Sequence, residues 1–206
     1  MVGQPMSTAK EQILSRVREA IGKREPVAPV VREYRQDLPA NLDQFEERLQ
    51  DYNAAVYRSK ESDIKRMIGY ALDARHKTKI VVPPDLPLTW LPQHIEFIHD
   101  DGLTHVELDA MPGVLTACTA AISLTGSIIL THSGKEGRRA ITLIPDYHLC
   151  VVFAKQVFET VPQAIRAIPR SRPITTIAGP SATADIEMTR IKGVHGPRTL
   201  DAILVI

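Results

Sequence analysis

Residues 149–153, Leu149-Cys-Val-Val-Phe153, form an uninterrupted apolar run, which is typical of a strand buried on both faces. Helices and strands are predicted alternately on its C-terminal side: a helix over Thr160–Ile168, a strand over Ile174–Ala178, a helix over Ala182–Ile191 and a strand over Ala202–Ile206. Segments that alternate in this way build a parallel or mixed sheet with helices on both faces. The predicted fold class is therefore α/β.

The same alternation extends toward the N-terminus. Helices are predicted over Leu42–Leu49 and Ser62–Arg75, and strands over residues 54–57, 79–83, 95–98, 120–124 and 127–131. Thr125 and Gly126 supply a turn between the last two strands. The segment between Ile98 and Ala120 has no clear period and is interpreted as irregular.

The first 40 residues have a different character. Thr8 and Glu11 form a capping box that opens an amphipathic helix, and Gly22 ends it. The segment Lys23–Pro39 is rich in proline, valine and charge without a period, which favours an extended arm. We therefore divide the chain into an N-terminal helix and arm, residues 1–40, and an α/β domain, residues 41–206. The amphipathic helix could pack on a neighbouring subunit and so allow a homo-oligomer.

Composition excludes several classes of protein. The chain has 206 residues, 44% of them hydrophobic, and a net charge of +1 without a basic stripe, so nucleic acid is a poor partner. Two cysteines, Cys118 and Cys150, are too few for a four-cysteine iron–sulfur site, and the histidines lack metal-ligand spacing. We expect no metal or cofactor in this chain. No signal peptide or membrane span is recognisable, which favours the cytoplasm.

The segment Ala178-Gly-Pro-Ser-Ala-Thr-Ala-Asp-Ile-Glu187 carries the clearest chemical signal. A predicted strand ends at Gly179 and Pro180, and Ser181 or Thr183 could cap the predicted helix that follows. Free backbone N–H groups at a helix start would suit a phosphate or carboxylate. The alternative is an ordinary helix cap without a ligand.

A glycine-flanked histidine lies just before the last strand, in Gly193-Val-His195-Gly196-Pro197. His195 could donate to an anion or act as an acid or base, or it could only hold the turn. Asp185 and Glu187 are two residues apart, so on a helix they point in different directions and form no carboxylate pair. These three residues are the candidates for catalysis, and we expect Ser181 and His195 to lie together at the carboxyl ends of sheet strands.

A polar loop with two glycines and three cations follows the strand at 127–131, in His132-Ser-Gly-Lys-Glu-Gly-Arg-Arg139. This loop could close over an anionic group, with Arg138 as the gripping residue, or it could be a plain solvated loop. If Arg138 binds an anion, its loss should weaken binding far more than folding. His148, which directly precedes the apolar run, is either a pocket residue or a strand-end cap.

Several of these segments together resemble the lactate utilization protein C family, also called the LUD domain. The similar segments, in order, are Ala121-Ile-Ser-Leu-Thr-Gly-Ser-Ile-Ile-Leu130, Gly137-Arg-Arg-Ala140, Pro145 with His148, Gly179-Pro-Ser-Ala-Thr-Ala-Asp-Ile-Glu187 and Gly193-Val-His-Gly-Pro197. The resemblance covers Met111–Ile206 and returns in Lys10–Gly22. One departure is Leu124, because many family members have an acidic residue before the Thr-Gly pair.

The resemblance implies a fold of the NagB/RpiA/CoA transferase type, shared with sugar-phosphate isomerases. It also implies a part in oxidising L-lactate to pyruvate beside two iron–sulfur partner proteins, which would hold the clusters. The coenzyme A transferases use a glutamate nucleophile, and no glutamate stands in a comparable place here.

Three interpretations of the function remain open from the sequence. The first is an accessory protein or subunit of lactate oxidation, which binds a small organic anion or cofactor in a cleft. The cleft residues would be Thr125, Gly126, Ser127, Arg138, Gly179, Pro180, Ser181, Gly193, His195 and Gly196. The second is a stand-alone enzyme that acts on an anionic metabolite. The third is a non-catalytic structural partner.

Overall fold

The computed structural model describes residues 8–22, 38–169, 171–180, 182–184, 190–192 and 196–206. A six-stranded sheet, parallel throughout, forms its centre. In spatial order the strands are β1 (Ala55–Ser59), β12 (Thr199–Val205), β7 (Tyr147–Phe153), β4 (Val114–Ala117), β2 (Lys79–Val82) and β3 (Glu96–His99). The apolar run that predicted a buried strand is thus β7, with neighbours on both sides.

Two smaller sheets accompany the central one. The four-stranded sheet has the order β8 (Val157–Phe158), β5 (Ala120–Ile122), β6 (Ser127–Leu130) and β9 (Thr175–Ile177). Its β5–β8 pair is parallel, and its other pairs are antiparallel. The third sheet is an antiparallel pair, β10 (Ala182–Ala184) with β11 (Arg190–Lys192).

Five α-helices are described: α1 (Ala9–Ile21), α2 (Leu42–Asp51), α3 (Ile64–Ala74), α4 (His105–Asp109) and α5 (Val161–Ala167). Short 3-10 helices lie at Glu61–Asp63, Leu88–Trp90, Gly134–Glu136, Arg139–Thr142 and Ala154–Gln156. The Asn41 side chain caps α2 by accepting from the Gln44 amide at 3.0 Å.

The period-2 alternation of strand side chains builds a core on each face of the central sheet. On one face Leu149 and Val151 pack in a cluster with Ile68 and Leu72 of α3. On the other face Cys150 and Val152 pack with α2 and with β5 and β6 of the four-stranded sheet. Helices therefore cover both faces, which confirms the predicted α/β class.

Two predictions about local structure are wrong. The helix expected over Ala182–Ile191 is replaced, where residues are described, by the strands β10 and β11, which pair Ala182 with Lys192. β-branched residues are frequent here, and they suit a pleated backbone better than a helix. The segment taken as irregular contains α4 and the buried strand β4.

The chain divides into two compact units, Met1–Tyr34 and Arg35–Ile206. In the first unit α1 has the predicted capping box, since Thr8 N donates to Glu11 Oε2 at 2.7 Å and Glu11 N donates to Thr8 Oγ1 at 3.4 Å. The helix ends at Gly22, as predicted, with φ of 63°. The division at residue 40 stays a prediction.

Two further kinds of feature are absent from the described ranges. None of the described helices is long and apolar enough to cross a membrane. Within the same residues, no three His, Cys, Asp or Glu side chains come together as a metal site.

Candidate functional site

A cavity of about 240 Å³ lies at the amino ends of β7 and β12, next to β9 and the segment that follows it. Twelve described residues line it: Thr142, Leu143, His148, Thr175, Thr176, Ile177, Ala178, Gly179, Pro180, Gly196, Pro197 and Leu200. Sequence segments that are far apart therefore meet at one place.

The parallel strands β7 and β12 and the closely packed Gly179 form part of the wall of this cavity. β7 and β12 are parallel, with His148 opposite Leu200, so both residues enter the wall from the second position of their strands. Gly179 has φ of 78°, and a Cβ atom there would come within 2.3 Å of the Tyr52 Cβ. Only glycine fits this approach to the C-terminal end of α2.

His148 is the buried titratable group of the cavity wall, with only 1% of its surface exposed. Its Nε2 lies 2.8 Å from Thr116 Oγ1, and its buried Nδ1 has no partner within the described part of the chain. Burial lowers the pKa of His148 to about 4, so the ring is neutral at physiological pH. An unpaired buried polar atom in a residue of the cavity wall makes His148 a candidate for ligand contact.

A second histidine stands behind the wall. His132 Nε2 lies 2.7 Å from Oγ1 of Thr175, a lining residue, and its buried Nδ1 also has no partner within the described ranges. Burial lowers the pKa of His132, and this outweighs the opposing effect of Glu136. His148 therefore lies in the cavity wall, and His132 lies behind the wall, hydrogen-bonded to the lining residue Thr175.

The described lining carries hydroxyl groups and apolar surface but no ionised side chain. Thr142, Thr175 and Thr176 supply the hydroxyls, of which Thr142 Oγ1 donates to the Arg139 carbonyl at 3.1 Å. A ligand would therefore be recognised through hydrogen bonds and shape, with little direct charge pairing from these residues.

The predicted site residues fall into three groups. Gly179, Pro180 and Gly196 line the cavity. A second group lies outside the described residues: Ser181, Asp185, Glu187, Gly193 and His195. Ser181 directly follows Pro180 in the sequence, and His195 directly precedes Gly196. The expected proximity of Ser181 and His195 stays a prediction.

The third group, Thr125–Ser127 with Arg138, is absent from the described lining. Thr125 Oγ1 donates to Ser127 Oγ at 2.8 Å, and Gly126 has φ of 61° where a Cβ would come within 2.6 Å of the Arg48 Cβ. This turn packs on α2. Because β6 and β9 are antiparallel, with Ile128 opposite Ile177, the turn lies at the same sheet end as Gly179.

Arg138 has a buried partner that the sequence analysis did not foresee. Its guanidinium donates to Asp100 through Nε at 2.7 Å and Nη2 at 2.8 Å, and Nη2 also donates to the Leu103 carbonyl. The Asp100 side chain is 3% exposed. The premise of a loop arginine without a buried partner is therefore wrong, and the role of Arg138 in ligand binding stays a prediction.

The loop that holds Arg138 is anchored to the protein interior. Glu136 is 3% exposed and accepts from the Thr131 amide at 2.6 Å and from Thr119 Oγ1 at 2.5 Å. A buried carboxylate needs such donors. They fix the loop, which makes a plain solvated loop the wrong description.

The cavity lies beside the amino ends of β7 and β12 in the central sheet, and the Gly179–Pro180 part of its wall follows the carboxyl end of β9 in the four-stranded sheet. The expectation that Ser181 and His195 lie at carboxyl ends of strands stays a prediction, because both residues lie outside the described ranges. The helix start expected after Ser181 is strand β10 at Ala182–Ala184, so no helix dipole acts there. His148, which the sequence left open between a pocket residue and a strand-end cap, lines the cavity.

Comparisons with known proteins identify the family of this chain. The LUD domain family pattern matches residues 105–205. "Lactate utilization protein C" of Deinococcus radiodurans is 40% identical over 96% of this chain and 95% of its own. "Lactate utilization protein C" of an Exiguobacterium species is 25% identical over 96% of both chains. The crystal structure of a DUF162 family protein from Deinococcus radiodurans is 37% identical, with a TM-score of 0.70 over 80% of this chain and 96% of that chain. This chain therefore belongs to the LUD domain family, among the lactate utilization protein C proteins.

Proposed function

We propose that this protein takes part in lactate utilization and binds a small organic anion in the cavity at the amino ends of β7 and β12. The observation that carries the proposal is the meeting of Gly179–Pro180 and Gly196–Pro197 around His148. All of them lie within residues 105–205, the part of the chain that matches the LUD domain, which supports a role for this cavity in the family's function.

The size and lining of the cavity suit a small metabolite. Its volume of about 240 Å³ lies below the roughly 300 to 1,000 Å³ of pockets that hold drug-sized ligands. Threonine hydroxyls can donate to a carboxylate, while Leu143, Ile177 and Leu200 offer apolar surface to a short carbon chain. A three-carbon acid fits this combination of polar and apolar surface.

We further propose that the chain works in the cytoplasm as an accessory protein or subunit beside two iron–sulfur proteins, which carry the clusters. The two cysteines of the chain support this division of labour, because Cys118 and Cys150 are both buried in the core. The redox step in which L-lactate becomes pyruvate then belongs to the partners.

A cavity-filling variant tests the binding site. Ala178 lines the cavity and is exposed, so Ala178→Phe should block ligand entry with little cost to the core. Isothermal titration with L-lactate should show at least a tenfold loss of affinity. Ala110→Phe, at an exposed position outside the lining, is the matched control and should bind as the wild type does. Equal affinity in both variants would remove the cavity from the proposal.

The partner proteins need a separate experiment. Affinity purification of the tagged chain from cells growing on L-lactate should recover two further proteins together with iron and acid-labile sulfide. Recovery of the chain alone, at physiological ionic strength and with oxygen excluded, would contradict the subunit assignment.

A further inference from the structure

We infer that a surface at the carboxyl end of β7 binds an acidic partner protein. This lysine–aromatic surface consists of Leu88, Trp90, Lys135, Phe153 and Lys155. The inference rests on the proposed subunit role, because it assigns a face of this chain to a partner. It does not depend on the ligand of the cavity.

Two aromatic rings form the middle of the surface. Phe153 is the last residue of β7, and Trp90 lies in the segment between β2 and β3. Their ring centroids are 5.9 Å apart, and both rings pack, partly buried, against the core. Leu88, in the same 3-10 helix as Trp90, has 70% of its surface exposed. The surface thus combines a fixed aromatic pair with a largely exposed apolar side chain.

A lysine lies over each ring. Lys135 Nζ is 5.5 Å from the centroid of Trp90, and Lys155 Nζ is 5.3 Å from the centroid of Phe153. The ring quadrupole attracts an ammonium group and restrains its position. Among the described residues, neither lysine forms a salt bridge with a carboxylate. Both charges are therefore available to a partner.

The turns that carry the lysines are anchored. Each lysine lies in a short 3-10 helix and directly precedes a residue bonded to the protein interior. Glu136, next to Lys135, is the buried carboxylate that fixes its loop. Gln156, next to Lys155, donates from Nε2 to the Cys118 carbonyl at 2.7 Å. Both turns are thus ordered before a partner arrives, which lowers the entropy lost on binding.

The composition of this surface favours a protein partner over a small molecule. Small ligands bind in concave pockets, whereas protein interfaces have an aromatic centre and a polar rim. Trp90 and Phe153 supply the centre, and the two exposed lysines supply the rim. Cations without carboxylates attract an acidic partner and speed its association. The complementary surface would present carboxylates beside an apolar residue.

The surface and the cavity lie at opposite ends of β7. The seven residues of this strand span roughly 20 Å from the cavity wall to Phe153. Substitutions at the surface should therefore leave the binding of L-lactate in the cavity unchanged.

Two variants of Leu88 test the sign of the partner's charge. The probe is the protein that the tagged chain recovers from cells growing on L-lactate, separated and mixed again with each variant. Leu88→Glu and Leu88→Lys both remove the exposed apolar side chain and differ in the charge that they add. At low ionic strength, Leu88→Glu should bind about tenfold more weakly than Leu88→Lys, because an added carboxylate repels an acidic partner. Equal affinity of the two variants would overturn the inference, as would weaker binding by Leu88→Lys.

A double variant tests the two lysines. Lys135→Gln with Lys155→Gln should weaken partner binding about tenfold at low ionic strength. Lys77→Gln with Lys79→Gln is the matched control, because it makes the same change in net charge at the opposite end of the sheet. Lys77 also lies over an aromatic ring, 5.8 Å from the centroid of Tyr147. The control should bind within about twofold of the wild type, and equal losses in both double variants would overturn the inference.

Trp90, the only tryptophan of the chain, identifies what covers the surface. Labelling with 5-fluorotryptophan gives a single ¹⁹F resonance, which should shift when the partner is added. A shift with the concentration of this chain alone would assign the surface to a second copy, and a saturable shift with ATP would assign it to a small anion. Either result would overturn the inference.

The outcomes separate the two proposals. Partner binding that no substitution at the surface weakens would overturn the inference and leave the subunit role intact. Recovery of no partner by the wild type would reject the subunit role and this inference together.

Discussion

Tyr147 and His148 are neighbours in β7 but have different surroundings. Tyr147 and His148 point to opposite faces of the sheet, since successive strand side chains alternate. Tyr147 packs in the core under α3, and His148 lines the cavity on the other face. The Tyr147 hydroxyl donates to Asp201 of β12 at 3.0 Å, and His148 stands opposite Leu200 of β12, which also lines the cavity.

On the Tyr147 face the buried polar atoms are paired. Asp201 is fully buried and accepts from Arg75 Nε at 2.8 Å, Arg75 Nη2 at 2.7 Å, Tyr147 Oη at 3.0 Å and the Ala55 amide at 3.1 Å. These bonds join β1, β7 and β12 to the end of α3. Burial and the neighbouring Asp201 carboxylate raise the pKa of Tyr147, so its hydroxyl stays protonated.

Beside the cavity on the His148 face, Nδ1 of His148 and Nδ1 of His132 have no partner among the described residues. The difference suggests a way to tell structural from functional polar groups: a satisfied network stabilises the fold, whereas an unsatisfied group beside a cavity costs stability and marks a candidate ligand contact. The predictions below test whether this contrast holds.

The largest effect is expected from Asp201→Ala. The change leaves the Tyr147 hydroxyl and the Ala55 amide without their acceptor and Arg75 without its carboxylate, so unfolding free energy should fall by ~3 to 5 kcal/mol. Urea unfolding followed by circular dichroism measures it. Asp146→Ala is the control, because the Asp146–Arg198 pair is exposed and should contribute below ~1 kcal/mol. Equal losses in the two variants would contradict the contrast.

The second effect concerns pH and the other face. The pKa of His148 is about 4 in the folded state and about 6.5 in the unfolded chain, so the unfolded chain binds a proton first as pH falls. Protonation of the unfolded chain at His148 therefore lowers the stability of the wild type by ~2 to 3 kcal/mol as pH falls from ~6.5 toward ~4. In His148→Asn this loss is absent. The difference in unfolding free energy between wild type and variant should shrink from pH 7.5 to 4.5, and parallel pH curves would refute this assignment.

Arg138→Ala comes third and reverses the expectation drawn from sequence. Asp100 would stay buried without its cation, so we expect a loss of ~2 kcal/mol in unfolding free energy. Affinity for L-lactate should stay within about twofold, because Arg138 does not line the cavity. Arg58→Ala removes an arginine of similar exposure whose partners Asp43 and Glu46 keep 83% and 22% of their side-chain surface exposed, against 3% for Asp100, so it should cost less, about 1 kcal/mol. A large affinity loss without destabilisation would restore Arg138 to the site.

Local pattern was sufficient for much of the fold but not for all of it. The apolar run at Leu149–Phe153 predicts β7 because a strand buried on both faces needs apolar residues throughout. β4 has only the four residues Val114–Ala117, too few to show a period. At 182–191 both helix-forming and β-branched residues occur, and strand pairing with distant residues is invisible to local propensity.

The sequence predicted lining residues of the cavity mainly at glycine and proline positions. Gly179, Pro180 and Gly196 stand out in sequence because glycine and proline impose special backbone conformations. The roles of His148 and Arg138 depend on partners far along the chain, Thr116 and Asp100, which no local pattern indicates. Whether a polar residue is satisfied is a tertiary property.

The smallest effect is expected from Tyr147→Phe, which measures how much the Tyr147 hydroxyl contributes to the stability of the Asp201 hydrogen-bond network. The change removes one of four hydrogen bonds to Asp201 and leaves both Arg75 bonds in place, so unfolding free energy should fall by ~1 to 2 kcal/mol. Tyr70→Phe, at an exposed ring, should change stability by less than ~0.5 kcal/mol. Both follow from urea unfolding at pH 7.5. A loss as large as that of Asp201→Ala would mean that the hydroxyl, and not the arginine, holds the carboxylate in place. A loss of zero would mean that water replaces the hydroxyl. The Tyr147 face would then be as open to a ligand as the His148 face.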